Sequence, residues 1–197
     1  MGTSIRLVVG LGNPGREYAA TRHNAGYWFV DALAARLGTS FVSEGRFHGL
    51  LAKSGAGVRM LKPSTYMNLS GRAVSAAMRF FDVGADELLV VHDELDLKAG
   101  DVKLKQGGGH AGHNGLRDVV AQLGTADFWR LRIGIGHPRD SAIPQQDVAD
   151  YVLRPPLADE RKAIDEAIEK GLDAWPELAA GRFERALTAL HTRKENP

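Results

Sequence analysis

The chain contains no cysteine, which excludes a disulfide framework and thiolate chemistry and fits a reducing compartment. No apolar run approaches the roughly 20 residues of a membrane span, and the N-terminus lacks the apolar stretch of a secretion signal. A cytoplasmic location with no membrane contact is therefore expected. There is no internal repeat, no low-complexity tract and no Gly-x-Ser-x-Gly elbow, so a serine hydrolase is disfavoured. Net charge is only +1 and carries no global message about nucleic acid.

What remains is an ordinary globular composition, 44% hydrophobic and 25% charged over 197 residues. That length suits one domain with a real core. Short apolar runs at Ile5–Val9 and Leu88–Val91 read as buried strands. Gly49–Lys53 and Val58–Leu61 form a pair around a Ser-Gly-Ala-Gly turn, while Val102–Lys105 and Trp129–Ile135 alternate as strands, the latter with one basic face. Asp147–Leu153 reads as an edge strand. Helical spacing predicts helices over Asn24–Leu37 with Asn24 as cap, Ser70–Phe81, the stretch ending at Leu123, Leu157–Leu172, and about Glu177 to His191. Mixed in this order, these elements predict an α/β fold: a single three-layer α/β/α domain around a twisted mixed β-sheet, spanning residues 1–191, with 192–197 a frayed tail.

Local charge is less even than the total. Between Lys98 and Arg139, the basic residues Lys98, Lys103, Lys105, Arg117, Arg130, Arg132 and Arg139 face only Asp101, Asp118 and Asp127. Such clustering suits a phosphate-binding face. Gly10-x-Gly12-x-x-Gly15 after a strand superficially matches a dinucleotide fingerprint. Pro14 and the late start of the helix argue instead for a tight turn that aims Asn13. His110-x-x-His113 sits among glycines with no helical face and no adjacent carboxylate, so no metal is expected.

His23, just ahead of a helix whose positive end disfavours an imidazolium, is the candidate general base. Of the acids in His92-Asp93-Glu94-Leu95-Asp96, Glu94 reads as a solvated loop residue and Asp96 as a turn residue. Asp93 lies nearest a buried strand end and stands ahead of Asp96 as the carboxylate that orients His23. Asn13, Asn68 and Asn114 lie on separate loops near strand ends, where amides steady an oxyanion or hold a water.

Seven segments taken together resemble the bacterial peptidyl-tRNA hydrolase family: Gly10-Leu-Gly-Asn-Pro-Gly15, Thr21-Arg-His-Asn24, Thr65-Tyr-Met-Asn-Leu-Ser-Gly71, His92-Asp-Glu-Leu-Asp-Leu97, Lys103-Leu-Lys105, Gly107-Gly-Gly-His-Ala-Gly-His-Asn-Gly-Leu116 and Arg132-Ile-Gly-Ile-Gly-His-Pro138. The resemblance implies a monomeric α/β enzyme that uses no cofactor and hydrolyses the ester between a peptide and the 3′-terminal ribose of tRNA. It implies His23 as base, Asp93 as its partner, and Asn13, Asn68 and Asn114 for substrate binding and stabilisation. Tyr18, Tyr66, Met67 and His113 are implied to line the cleft, and Lys103, Lys105 and Arg132 to hold tRNA phosphates. Ala111 departs from the family's glycine, and Thr188-Ala189 from its Asn-Arg pair.

Overall fold

A computed structural model gives the arrangement of residues 3–192. In chain order the regular elements are β1 (Leu7–Gly10), α1 (Ala25–Arg36), β2 (Val42–Glu44), β3 (Gly49–Lys53), β4 (Arg59–Pro63), α2 (Ser70–Phe81), β5 (Leu88–Glu94), β6 (Val102–Gln106), α3 (Asn114–Leu123), β7 (Trp129–Gly134), α4 (Val148–Val152), α5 (Ala158–Ala179) and α6 (Phe183–His191). The strands form one sheet of seven in the order β2-β3-β4-β1-β5-β7-β6. Its centre, β4-β1-β5-β7, is parallel, and antiparallel strands complete both edges.

Every residue of β1 and β5 is buried, as parallel strands covered on both faces require. Alternate side chains enter opposite cores. Val8, Leu89 and Val91 pack with Phe29, Val30 and Leu33 of α1 and with Ile164, Ile168 and Leu172 of α5. Leu7, Val9, Leu88 and Val90 pack with Val74 and Ala77 of α2 and with Leu116 and Val119 of α3. The expected α/β/α sandwich is the observed one. From β1 the chain crosses one face through α1 to reach β4; from β4 it crosses the other face through α2 to reach β5. Connections diverge above β1, and a cleft opens at such a point beyond the strand ends.

The glycines after β1 act mainly through close approach. Only Gly15, at φ +106°, has left-handed backbone among Gly10, Gly12 and Gly15. A Cβ on Gly10 would lie inside 3.0 Å of the Gly26 carbonyl, and one on Gly12 would strike the Tyr27 ring. Gly26 in turn leaves no room for a Cβ against the backbone of Leu11 and Val91. The first turn of α1 is thus seated directly on β1 and β5, and Tyr27 secures it by donating to the Pro63 carbonyl at the end of β4.

Several elements differ from the sequence reading. Asp147–Leu153 is no edge strand: Asp147 Oδ1 accepts from the Ala149 N–H at 2.7 Å and starts α4, so an N-cap prevails over short apolar alternation. The strand expected at Val58–Leu61 runs over Arg59–Pro63, and that at Leu88–Val91 continues to Glu94. Helix Leu157–Leu172 extends to Ala179 through Pro176, and the next helix begins only at Phe183, after Gly181 at φ +71°. Arg130 and Arg132 do share one face of β7, but the glycine-rich loop covers Arg130, which is only 2% exposed. Of the tail at 192–197, all but Thr192 lies outside the described residues.

Because backbone atoms surround Gly26, Gly26→Ala should destabilise the fold by about 2 kcal/mol or more. Urea denaturation measures this, and an unchanged midpoint would contradict the seating described above.

Candidate active site

Loops leaving the C-terminal ends of β1, β4 and β5 enclose a cavity of about 630 Å³. His23, Asp93, Asn13, Tyr66, Met67, Asn68, His113 and Asn114 all line it. Tyr18, by contrast, lies in the turn after Gly15 and is not among the lining residues.

At the cavity floor, Asp93 projects from β5 and is 3% exposed. Its carboxylate accepts from Nδ1 of His23, with N–O separations of 2.9 and 3.0 Å. His23 sits on the short helical turn Arg22–Asn24 that leads into α1. Nδ1–H therefore faces Asp93, leaving Nε2 as the nitrogen with a lone pair. Asp93 Oδ1 also lies 2.8 Å from Nε2 of His113. His113 caps α3: its Nδ1 accepts from the N–H groups of Gly115 (3.1 Å) and Leu116 (3.2 Å). With Nδ1 an acceptor, the His113 proton is on Nε2 and donates to Asp93. One carboxylate thus receives an N–H from two rings whose centroids are 4.9 Å apart.

Burial alone would raise the Asp93 pKa, but the charges of and hydrogen bonds from His23 and His113 prevail and hold it well below the usual carboxylate range. For His23, burial acts downward, while the Asp93 charge and hydrogen bond prevail and leave its pKa above 6.5. The helix end expected to keep the ring neutral is outweighed by this neighbouring carboxylate. Behind the floor, His92 is pushed down to about 3 by burial and by His113, and its Nδ1–H donates to the Asp93 carbonyl at 2.8 Å.

His23, Asp93 and His113 bring ligand-type atoms within 4.8 Å of one another. The donor set is a poor one for a metal ion. Coordination through Nε2 of His113 would displace its only N–H while Nδ1 still accepts from α3, leaving an imidazolate.

Asn13 is fixed from three sides. Its N–H donates to Asn24 Oδ1, its C=O accepts from Asn24 Nδ2, both at 2.9 Å, and its own Oδ1 accepts from the Met67 N–H at 2.7 Å. The Asn13 NH₂ is thereby left for a ligand. Asn24 stands at the N-cap of α1 as expected but spends its side chain here, so it makes no side-chain capping bond. Asn68 and Asn114 are exposed at the rim.

The basic residues separate into two kinds. Lys103 and Lys105 point outward from β6. Arg130 is structural: it donates to the carbonyls of Gly109 (2.7 Å) and Gly108 (2.8 Å) and pins the glycine-rich loop. Arg132 is paired with Glu94 at 2.6 Å. Glu94 is 9% exposed, so it is not the solvated loop residue its sequence context suggested. The loop that Arg130 holds contains Ala111 in left-handed backbone, φ +47°, where the family's glycine would sit without strain.

Sequence reasoning missed Arg22 altogether. This arginine turns inward, donates to the carbonyls of Tyr151 (3.0 Å) and Arg154 (3.3 Å), and pairs with Glu160 at 2.8 Å. It joins the turn bearing His23 to α4, whose Val148, Ala149 and Val152 wall the cavity. Nothing in a Thr-Arg-His-Asn string announces an inward arginine. The wall was legible in principle, since Asp147 with Val148 and Val152 makes a cap and an i, i+4 pair. Arg22→Met removes the guanidinium bonds to the Tyr151 and Arg154 carbonyls and the ion pair with Glu160, and should lower stability by about 1–3 kcal/mol. A denaturation midpoint equal to that of the parent would contradict the role given to Arg22.

The family model described as Peptidyl-tRNA hydrolase matches residues 7–197. A peptidyl-tRNA hydrolase of Delftia acidovorans is 54% identical over 193 residues, 96% of this chain and 91% of that protein. One of Nitrosospira multiformis is 53% identical over 195 residues, covering 98% of this chain and all of that protein, 100%. Among solved structures, peptidyl-tRNA hydrolase from Acinetobacter baumannii superposes with a TM-score of 0.92 at 43% identity, over 98% of each chain. Sequence and fold agree, and the chain belongs to the peptidyl-tRNA hydrolase family, a family of ester-bond hydrolases.

Proposed function

We propose that this enzyme, one catalytic unit over residues 1–191, hydrolyses the ester joining a peptide to the 3′-terminal ribose of tRNA, with His23 as general base and no metal ion. The observation that carries the reading is the Asp93–His23 pair, 2.9 Å apart, on the floor of the cavity. With Nδ1–H given to Asp93, Nε2 of His23 takes a proton from water as the water oxygen attacks the ester carbonyl. Asp93 then stabilises the imidazolium, and that proton goes to the departing ribose oxygen. Asn68 donates to the developing oxyanion, while the Asn13 NH₂ and Asn114 hold the peptide end and the water. Tyr66, Met67 and His113 line the same space, and Tyr18 serves from the adjoining turn.

The fixed Asn13 amide also supports selectivity for N-blocked substrate. A donor held for a peptide carbonyl is left unpaired by a free aminoacyl group, and an unpaired buried donor is costly. Lys103 and Lys105 supply exposed charge for tRNA phosphates, joined by Arg132 once its guanidinium is shared between Glu94 and phosphate. The enzyme acts as a monomer in the cytoplasm, where peptidyl-tRNA arises.

His23→Ala should lower kcat by about 10²–10⁴-fold with N-blocked aminoacyl-tRNA, and near-normal turnover would overturn the assignment. A raised His23 pKa means that kcat/KM falls as pH drops through a value above 6.5, because the protonated ring no longer accepts a proton. An acid limb below 6.5 would contradict this. Chelator should leave the rate unchanged, and a loss restored by added divalent ion would overturn the metal-free reading. Lys103→Ala or Lys105→Ala should raise KM and reduce the salt slope by about one phosphate contact, with kcat preserved. A fall in kcat alone would show these lysines to be misplaced.

A further inference from the structure

The Asp93 carboxylate has more than one claimant. His113 is held more rigidly than a residue that only lines a cleft needs to be. Both its nitrogens are engaged: Nδ1 by the Gly115 and Leu116 amides in the first turn of α3, Nε2 by Asp93 Oδ1 at 2.8 Å. Its side chain is 9% exposed, so little of the ring is presented to a substrate. A helix end thereby fixes which nitrogen carries the proton and where that proton points.

We propose that His113 is a positioning residue for the reaction: its Nε2–H, aimed by the N-terminus of α3, holds one oxygen of Asp93 so that the carboxylate is shared between two rings. The inference rests on His23 as the base. Sharing has a definite sign. A carboxylate that already accepts a hydrogen bond concentrates less charge on a second partner, so it stabilises the imidazolium of His23 less than a carboxylate devoted to His23 alone. His113 therefore limits how far Asp93 raises His23 and keeps more of the base unprotonated near neutral pH.

Other groups around His23 leave this role to His113. β5 contributes Asp93 itself and His92, whose Nδ1–H is spent on the Asp93 carbonyl. Glu94 is occupied by Arg132. Arg22 sends its guanidinium to Glu160 and to the Tyr151 and Arg154 carbonyls. α4 offers Val148, Ala149 and Val152 to the cavity, and the turn after β7 offers His137, whose Nδ1 accepts from the Arg139 N–H at 3.2 Å.

Two variants separate the roles of the His113 ring. In His113→Asn, the side-chain oxygen replaces Nδ1 as the cap of α3, so the helix keeps its start, but no group reaches Asp93. In His113→Gln, the longer side chain restores an N–H near the position of Nε2. The His23 ring titration, followed by NMR, should move upward by on the order of one pH unit in His113→Asn. The acid limb of kcat/KM should follow, and His113→Gln should bring both back toward the parent. An unmoved His23 titration in His113→Asn, or an effect confined to KM at every pH, would overturn the proposal. The ring is read independently of the rate. A displaced titration with an unmoved rate profile would therefore refute His23 as the base while leaving the hold of His113 on Asp93 intact.

Discussion

One buried carboxylate organises this molecule. Asp93 has 3% of its surface exposed, and burying an unpaired carboxylate would drive it to protonate. It stays charged because two imidazole N–H groups meet it from different parts of the chain, one from the turn after β1 and one from the glycine-rich loop. The charge it keeps orients the His23 ring and, in the proposed mechanism, receives the imidazolium. With His23 as the proposed base, stability of the floor and competence of the base are the same interaction seen from two sides.

The fold can be read as the means of bringing those donors together. β1 and β5 are neighbours, so their ends deliver His23 and Asp93 to one place. The missing side chains at Gly10 and Gly26 let α1 sit directly on both strands, which sets the height of the His23 turn above Asp93. Arg130 anchors the glycine-rich loop by two of its carbonyls, and α3 then fixes the His113 ring. Alternation along β5 divides the labour further. Asp93 faces the cavity after β1, while Glu94, one residue on, turns to the other side and holds Arg132 beside the exposed lysines of β6. In the proposed mechanism the reacting centre and the phosphate-binding edge are thus set by adjacent residues of one strand.

Much of this was legible in the sequence because it depends on local pattern. Buried apolar runs gave β1 and β5, helical spacing gave α2, and a strand end beside a histidine gave both His23 and Asp93. What failed depended on partners distant in sequence. Glu94 looked solvated because nothing local reveals Arg132 on the neighbouring strand β7. Arg130 read as one of a basic cluster suited to phosphate because two of its carbonyl acceptors, Gly108 and Gly109, lie in a loop more than twenty residues earlier. The Asn24 side chain, at the N-cap of α1, does not bond the helix because the backbone of Asn13, which takes its amide, comes close once the chain has turned. Arg22 joins positions 129 and 138 residues apart, to Tyr151 and Glu160, and has no local signature at all. The misread strand at Asp147–Leu153 is of another kind, since a five-residue helix is too short for periodicity to outweigh alternation.

The central claim concerns where a single proton sits. It is tested most directly by the ¹⁵N chemical shifts of the His23 ring in the free enzyme, at a pH above its titration. A neutral ring with its proton on Nδ1 and a bare Nε2 is the result this account predicts. A ring protonated at Nε2, with Nδ1 bare beside the carboxylate, would contradict it.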